Sequence, residues 1–189
     1  GSTGIAARNT SVQFWHLADC PQSANVCASR IKRALAGDVV PTGIGVNRST
    51  GVVSHNVVTR GPEDQPVGRG TFSFAYSLFD DEGLRFVGNR SYRVLSGLAA
   101  TNLSGGVIRD NLFVGTIPPV PVAAAGADPA APPSAGLQIS ASTGVRARDN
   151  RVAWFGNGLY VFSTTDSTFR GNDATGNLFN DCVEVNPTA

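Results

Sequence analysis

The chain has 189 residues, with 15 basic and 14 acidic side chains, 22 glycines and no methionine. So even a balance supplies no overall field for nucleic acid or an anionic membrane surface, and no apolar run approaches the length of a membrane span. The size suits a single domain over 1–189.

The front, Gly1 to Gly4, has neither the basic segment nor the apolar stretch of a secretory signal. A first repeat unit starts at Gly4 and Ile5 and runs to Val12, placing Ala6 and Arg8 at outward positions of a first strand. An insertion follows over 19–42. Within it, Ser23 is placed to cap a short helix ending before Gly37, with Cys27, Ile31 and Leu35 forming one apolar stripe. Arg30, Lys32 (the only lysine) and Arg33 read as its solvated side. Cys20 and Cys27 flank a short loop and are candidates for a disulfide, which fits an oxidising compartment. Buried free thiols are the alternative, and Cys182 has no evident partner.

The second unit runs from Gly43 to Asn56, the third from Ala75 to Asn89 and the fourth from Gly97 to Asn111. The two clearest copies follow, Gly136 to Asn150 and Gly158 to Asn172. Their glycines and their asparagines both recur at a spacing of 22. The remaining asparagine spacings of 33 and 39 contain further insertions at 61–70 and at the Pro/Ala-rich 117–135. All three insertions leave the unit at a similar phase, so they are expected at one corner. A last unit opens at Cys182, with Val183, Glu184 and Val185 read against Ile44, Gly45 and Val46.

A unit of about 22 residues is too small to bury its own core and must stack on its neighbours. Apolar residues alternate within it (Leu137/Ile139, Leu159/Val161), which is the period of strands. The expected architecture is therefore all-β, a parallel β-helix of about seven turns. Ile44, Tyr76, Leu98, Leu137 and Leu159 should stack inside. Phe86, Ile108, Ala147 and Phe169 form a second inward column, and Val58, Phe113 and Val152 a third. Asn56, Asn89, Asn111, Asn150 and Asn172 fall at a bend. A ladder of buried amides there would satisfy backbone groups that the bend otherwise strands.

These turns resemble the right-handed parallel β-helix repeat family, the pectate-lyase-like superfamily with "G-I-x-V…G-N-x-V" units, and 136–181 is most similar to secreted bacterial β-helix repeat proteins. The resemblance implies right-handed winding and an extracellular or cell-surface location, with the periplasm as the alternative. In that family the face around the first strand of each turn carries sugar. The fold alone does not choose a chemistry, because lyases, epimerases, adhesins and tailspikes share it.

On that face the candidate ligand contacts are Asn47, Phe79, Gln138, Tyr160, Phe162 and Glu184. Phe79, Tyr160 and Phe162 offer ring faces for stacking on sugars; packing beneath the insertions is the competing account. A lyase needs a base and cation-binding carboxylates there, and a hydrolase two carboxylates, but Glu184 stands alone. Asp80, Asp81 and Glu82 form the single acidic cluster and the one candidate for Ca²⁺, though adjacent residues point different ways. Asp110 and Asp149, beside Arg109 and Arg148, read as a surface charge ladder. His16 and His55 have no metal-ligand spacing. The expected function is a non-catalytic segment of an extracellular β-helix protein, a structural stalk or a polysaccharide-holding surface without cofactor. The alternatives are part of a polysaccharide lyase, epimerase or glycoside hydrolase whose catalytic residues lie elsewhere, and a periplasmic copper-site maturation protein. Unpaired strands at both ends imply further chain or end-to-end association.

Overall fold

A computed structural model describes residues 2–8, 11–14, 42–60, 74–94, 96–115 and 134–185. Each turn lays down three strands. The first gives β1 (Ser2–Arg8), β2 (Ser11–Phe14) and β3 (Thr42–Asn47), and the second β4 (Ser49–Ser54), β5 (Val57–Arg60) and β6 (Phe74–Phe79). The third turn supplies β7 (Arg85–Val87), β8 (Arg90–Tyr92) and β9 (Ser96–Thr101). The fourth supplies β10 (Val107–Arg109), β11 (Leu112–Val114) and β12 (Ala135–Ser140). The fifth contains β13 (Arg146–Arg148), β14 (Arg151–Ala153) and β15 (Asn157–Phe162). The sixth contains β16 (Thr168–Arg170), β17 (Asp173–Thr175) and β18 (Asn180–Val185).

Successive turns pair in parallel to make three six-stranded sheets. Sheet 1 is β1-β4-β7-β10-β13-β16, sheet 2 is β2-β5-β8-β11-β14-β17 and sheet 3 is β3-β6-β9-β12-β15-β18. The molecule is thus an all-β stack of parallel strands of the solenoid type, without a helix among the described residues. The helix expected within 23–37 lies outside those residues, as do Cys20 and Cys27. Among the described residues each sheet is six strands deep, against the seven turns expected, because the segment at Gly4 does not open a sheet 3 strand. That segment joins sheet 1, with Ala7 opposite Val53 and Arg8 opposite Ser54. Ala6 and Arg8 therefore do not belong to the first-strand face, which is sheet 3.

The core is a set of columns. Ile44, Tyr76, Leu98, Leu137 and Leu159 are successive cross-strand partners in sheet 3. Phe86, Ile108, Ala147 and Phe169 do the same in sheet 1. In sheet 2 the column reads Val58, Ser91, Phe113, Val152 and Ala174. Rings of Tyr76 and Phe86 meet edge-on at 5.0 Å, and Phe113 completes the group at 6.3 Å from Tyr76. The Tyr76 hydroxyl donates to the carbonyls of Asn56 (2.9 Å) and Arg90 (2.7 Å), which satisfies its buried polar end.

The turns bend at residues in the left-handed region. One corner uses Arg48, Asp80, Asn102, Ala141 and Ser163. The next uses His55, Gly88, Asp110, Asp149 and Gly171. Such a bend suits Gly, Asp and Asn, so the Asp residues preceding ladder asparagines have a backbone reason. The turn-opening glycines serve a different need. A Cβ on Gly136 would strike the Val152 side chain and the Phe155 ring, and one on Gly97 the Gly136 carbonyl. Sheet 3 must pass that close to keep the turn closed.

The sharp bend before sheet 2 strands its own backbone groups, and the asparagines answer this. Nδ2 of Asn56, Asn89, Asn111 and Asn150 donates to Oδ1 of the asparagine one turn on, at 2.9, 3.2, 2.8 and 2.8 Å. The same Oδ1 atoms accept the preceding asparagine's backbone N–H. Each Nδ2 of Asn89, Asn111, Asn150 and Asn172 also donates to a carbonyl of sheet 1. The ladder ties the corner together along five turns.

Candidate functional site

Sheet 3 alternates in burial, so two columns face outward. One reads Gly45, Ser77, Ala99, Gln138, Tyr160 and Val183, and the other Asn47, Phe79, Thr101, Ser140 and Phe162. None of these eleven side chains is charged. Phe79 and Phe162 are each 39% exposed. They share a column three strands apart, which is ~14 Å along the stack. Between them Thr101 and Ser140 lie lower and share a hydroxyl hydrogen bond of 3.0 Å. Ala99 beside Thr101 and Ser77 beside Phe79 are small, so the face dips to a shallow saddle between the two rings. Gln138 is half-buried between Ala99 and Tyr160, and Asn47 is exposed beside Phe79.

Glu184 does not join this face. It pairs with Val161, an inward column, while Val183 takes the place opposite Tyr160. The cause is an extra residue in the last turn: Leu178 and Phe179 hydrogen-bond back to Phe155 and Gly156, and Asn180 then pairs with Asn157. A repeat of 22 therefore becomes one of 23, and every later residue exchanges faces. Cys182 consequently sits opposite Leu159. Partial burial and the charges of Glu184 and Asp181 hold its thiol above the ordinary range.

The acidic cluster diverges. Asp80 accepts from Asn102 at 3.1 Å and pairs with Arg48 at 3.4 Å across neighbouring turns. Asp81 is turned inward, 1% exposed, and accepts the Ser49 backbone N–H at 2.8 Å. Its other carboxylate oxygen is buried without a partner. Burial pushes its pKa above the usual carboxylate value, against the backbone donors of Ser49 and Phe79, with Asp80 adding to the rise. Glu82 points to solvent. Among the described residues no three His, Cys, Asp or Glu side chains gather as a metal site.

All three insertions leave between a sheet 2 strand and the next sheet 3 strand, after Phe14, Arg60 and Val114. Residues 15–41, 61–73 and 116–133 themselves lie outside the described set. Trp154, which the repeat pattern did not single out, occupies this same corner. It is 38% exposed, adopts a left-handed backbone and lays its ring over Gly176. A large ring at a bend where other turns place Gly115 and Gly176 was the available signal.

No family model, curated protein or solved structure matches this chain. The resemblance to pectate-lyase-like repeats is therefore carried by the repeat residues alone.

Proposed function

We propose that this chain is part of an extracellular right-handed parallel β-helix whose sheet 3 holds a neutral polysaccharide without transforming it. Right-handed winding is the usual sense for a strand, a crossover and a parallel neighbour in one sheet. The observation that carries the ligand is the uncharged outward face of sheet 3, with exposed Phe79 and Phe162 at either end of a hydroxyl-lined saddle. Sugar rings present C–H faces to aromatic rings and hydroxyls to Thr101, Ser140, Gln138 and Asn47. A polyuronate would meet no cation there.

Titration of neutral oligosaccharides against the wild type and a Phe79→Ala/Phe162→Ala double variant tests this. Binding by the wild type, lost in a variant of unchanged circular dichroism, supports the face. Absence of neutral-glycan binding, or equal affinity in both proteins, replaces it with the structural-stalk reading.

A further inference from the structure

The outward positions of sheet 1 form two columns. One reads Val52, Arg85, Val107, Arg146 and Thr168, and the other Ser54, Val87, Arg109, Arg148 and Arg170. Half of these residues are arginine and none is acidic, in a chain whose formal charge is only +1. Arg109, Arg148 and Arg170 are direct cross-strand partners in consecutive turns. Their backbones thus stand ~4.8 Å apart, and like charges placed opposite one another oppose folding. Relief is partial. Asp110 pairs with Arg109 at 2.8 Å and Asp149 with Arg148 at 3.6 Å, both at the adjoining bend. The bend after Arg170 is Gly171, and Arg85, Arg146 and Arg170 make no ion pair among the described residues.

We propose that the outward face of sheet 1 is a binding track for a linear anionic polysaccharide, its carboxylates or sulfates seated along Arg109, Arg148 and Arg170 with Arg85 and Arg146 alongside. A straight column of cations along the stack matches a linear chain of regularly spaced anions. Binding would also remove the repulsion the column carries when free. Guanidinium presents a planar fork of donors suited to carboxylate or sulfate. The ten positions hold no aromatic ring on which bases could stack, which disfavours single-stranded nucleic acid. Their apolar members, Val52, Val87 and Val107, are half-buried and offer no apolar face for insertion into lipid. This track lies on a different sheet from the neutral face and stands without it.

The test is calorimetric titration of an oligouronate and a sulfated oligosaccharide of matched length, which separates the two anions. An Arg109→Gln/Arg148→Gln/Arg170→Gln triple variant should weaken the preferred anion about tenfold, each exposed contact adding a fraction of that. Its salt dependence should be shallower than wild type, and its melting temperature no lower, since like charges are removed. Arg148→Gln alone should show a smaller loss in the same direction, which keeps the test open if the triple variant does not fold. Arg48→Gln, at another corner, should leave affinity unchanged. Equal affinity in wild type and the arginine variants overturns the track, as does an equal loss in Arg48→Gln. Tighter binding of a single-stranded oligonucleotide or of phosphatidylserine vesicles than of either glycan also overturns it.

Discussion

Replacing Asn111 by Ala probes what the corner ladder contributes. Asn111 is buried at 1% exposure, and its amide makes four hydrogen bonds. Oδ1 accepts from the backbone N–H and the Nδ2 of Asn89, at 2.8 and 3.2 Å, while Nδ2 donates to Oδ1 of Asn150 and to the Phe86 carbonyl, at 2.8 and 3.2 Å. After truncation two neighbours retain partners: Asn89 Nδ2 still reaches the Val53 carbonyl, and Asn150 Oδ1 still accepts the Asn111 backbone N–H. The Asn89 N–H and the Phe86 carbonyl lose their bonds to this amide in a place water reaches poorly. Each such group costs about 1–3 kcal/mol, so Asn111→Ala should lose about 2–6 kcal/mol. Urea unfolding followed by circular dichroism measures it as a lower midpoint at unchanged slope. Hydrogen exchange should show the Asn89 amide losing protection ahead of sheet 3. The matching change at Asn172, half-buried at the end of the ladder, should cost clearly less. A loss under ~1 kcal/mol at Asn111, or equal losses at both positions, would refute the ladder as the corner's stabilising element.

Asp81→Asn should remove a pH dependence. The folded carboxyl is raised above its unfolded value, so between the two values the native state binds more protons, and stability falls as pH rises through that window. The amide keeps an acceptor for the Ser49 N–H and carries no charge. The variant should therefore be at least as stable as wild type at neutral pH, with the difference closing below pH ~4 as Asp81 protonates; thermal melts across pH would sink this if the variant were equally weaker at both ends. Ser91→Ala addresses an inward position between Val58 and Phe113, where the hydroxyl is buried without a partner. Its removal should stabilise by about 1 kcal/mol, and a midpoint lowered in urea would show the hydroxyl to be satisfied in solution.

Much of the architecture was legible in the amino-acid sequence because stacking turns one local pattern into a global one. A spacing of 22 between Gly136 and Gly158 forces like onto like, so the inward columns and the asparagine corner follow from the alternation and the repeat alone. What failed to be legible depended on pairing with a neighbour. Gly4 to Arg8 has the look of a sheet 3 strand, yet its hydrogen-bonding partner is β4, and only that contact assigns it to sheet 1. A single extra residue near Leu178 and Phe179 moves Glu184 to an inward column, since strand parity has no tolerance for one insertion. Asp81 reads in sequence as the middle of a solvated acidic turn, and only packing beside Ser49 shows it buried with an oxygen unpaired. The arginines make the same point on the surface. Arg109, Arg148 and Arg170 are separated in the chain by an insertion and a turn, and become one column only when the turns stack. Periodicity determines which residues face inward, but the sheet a strand joins, and the charges it then aligns, are decided by long-range backbone pairing that no local pattern encodes.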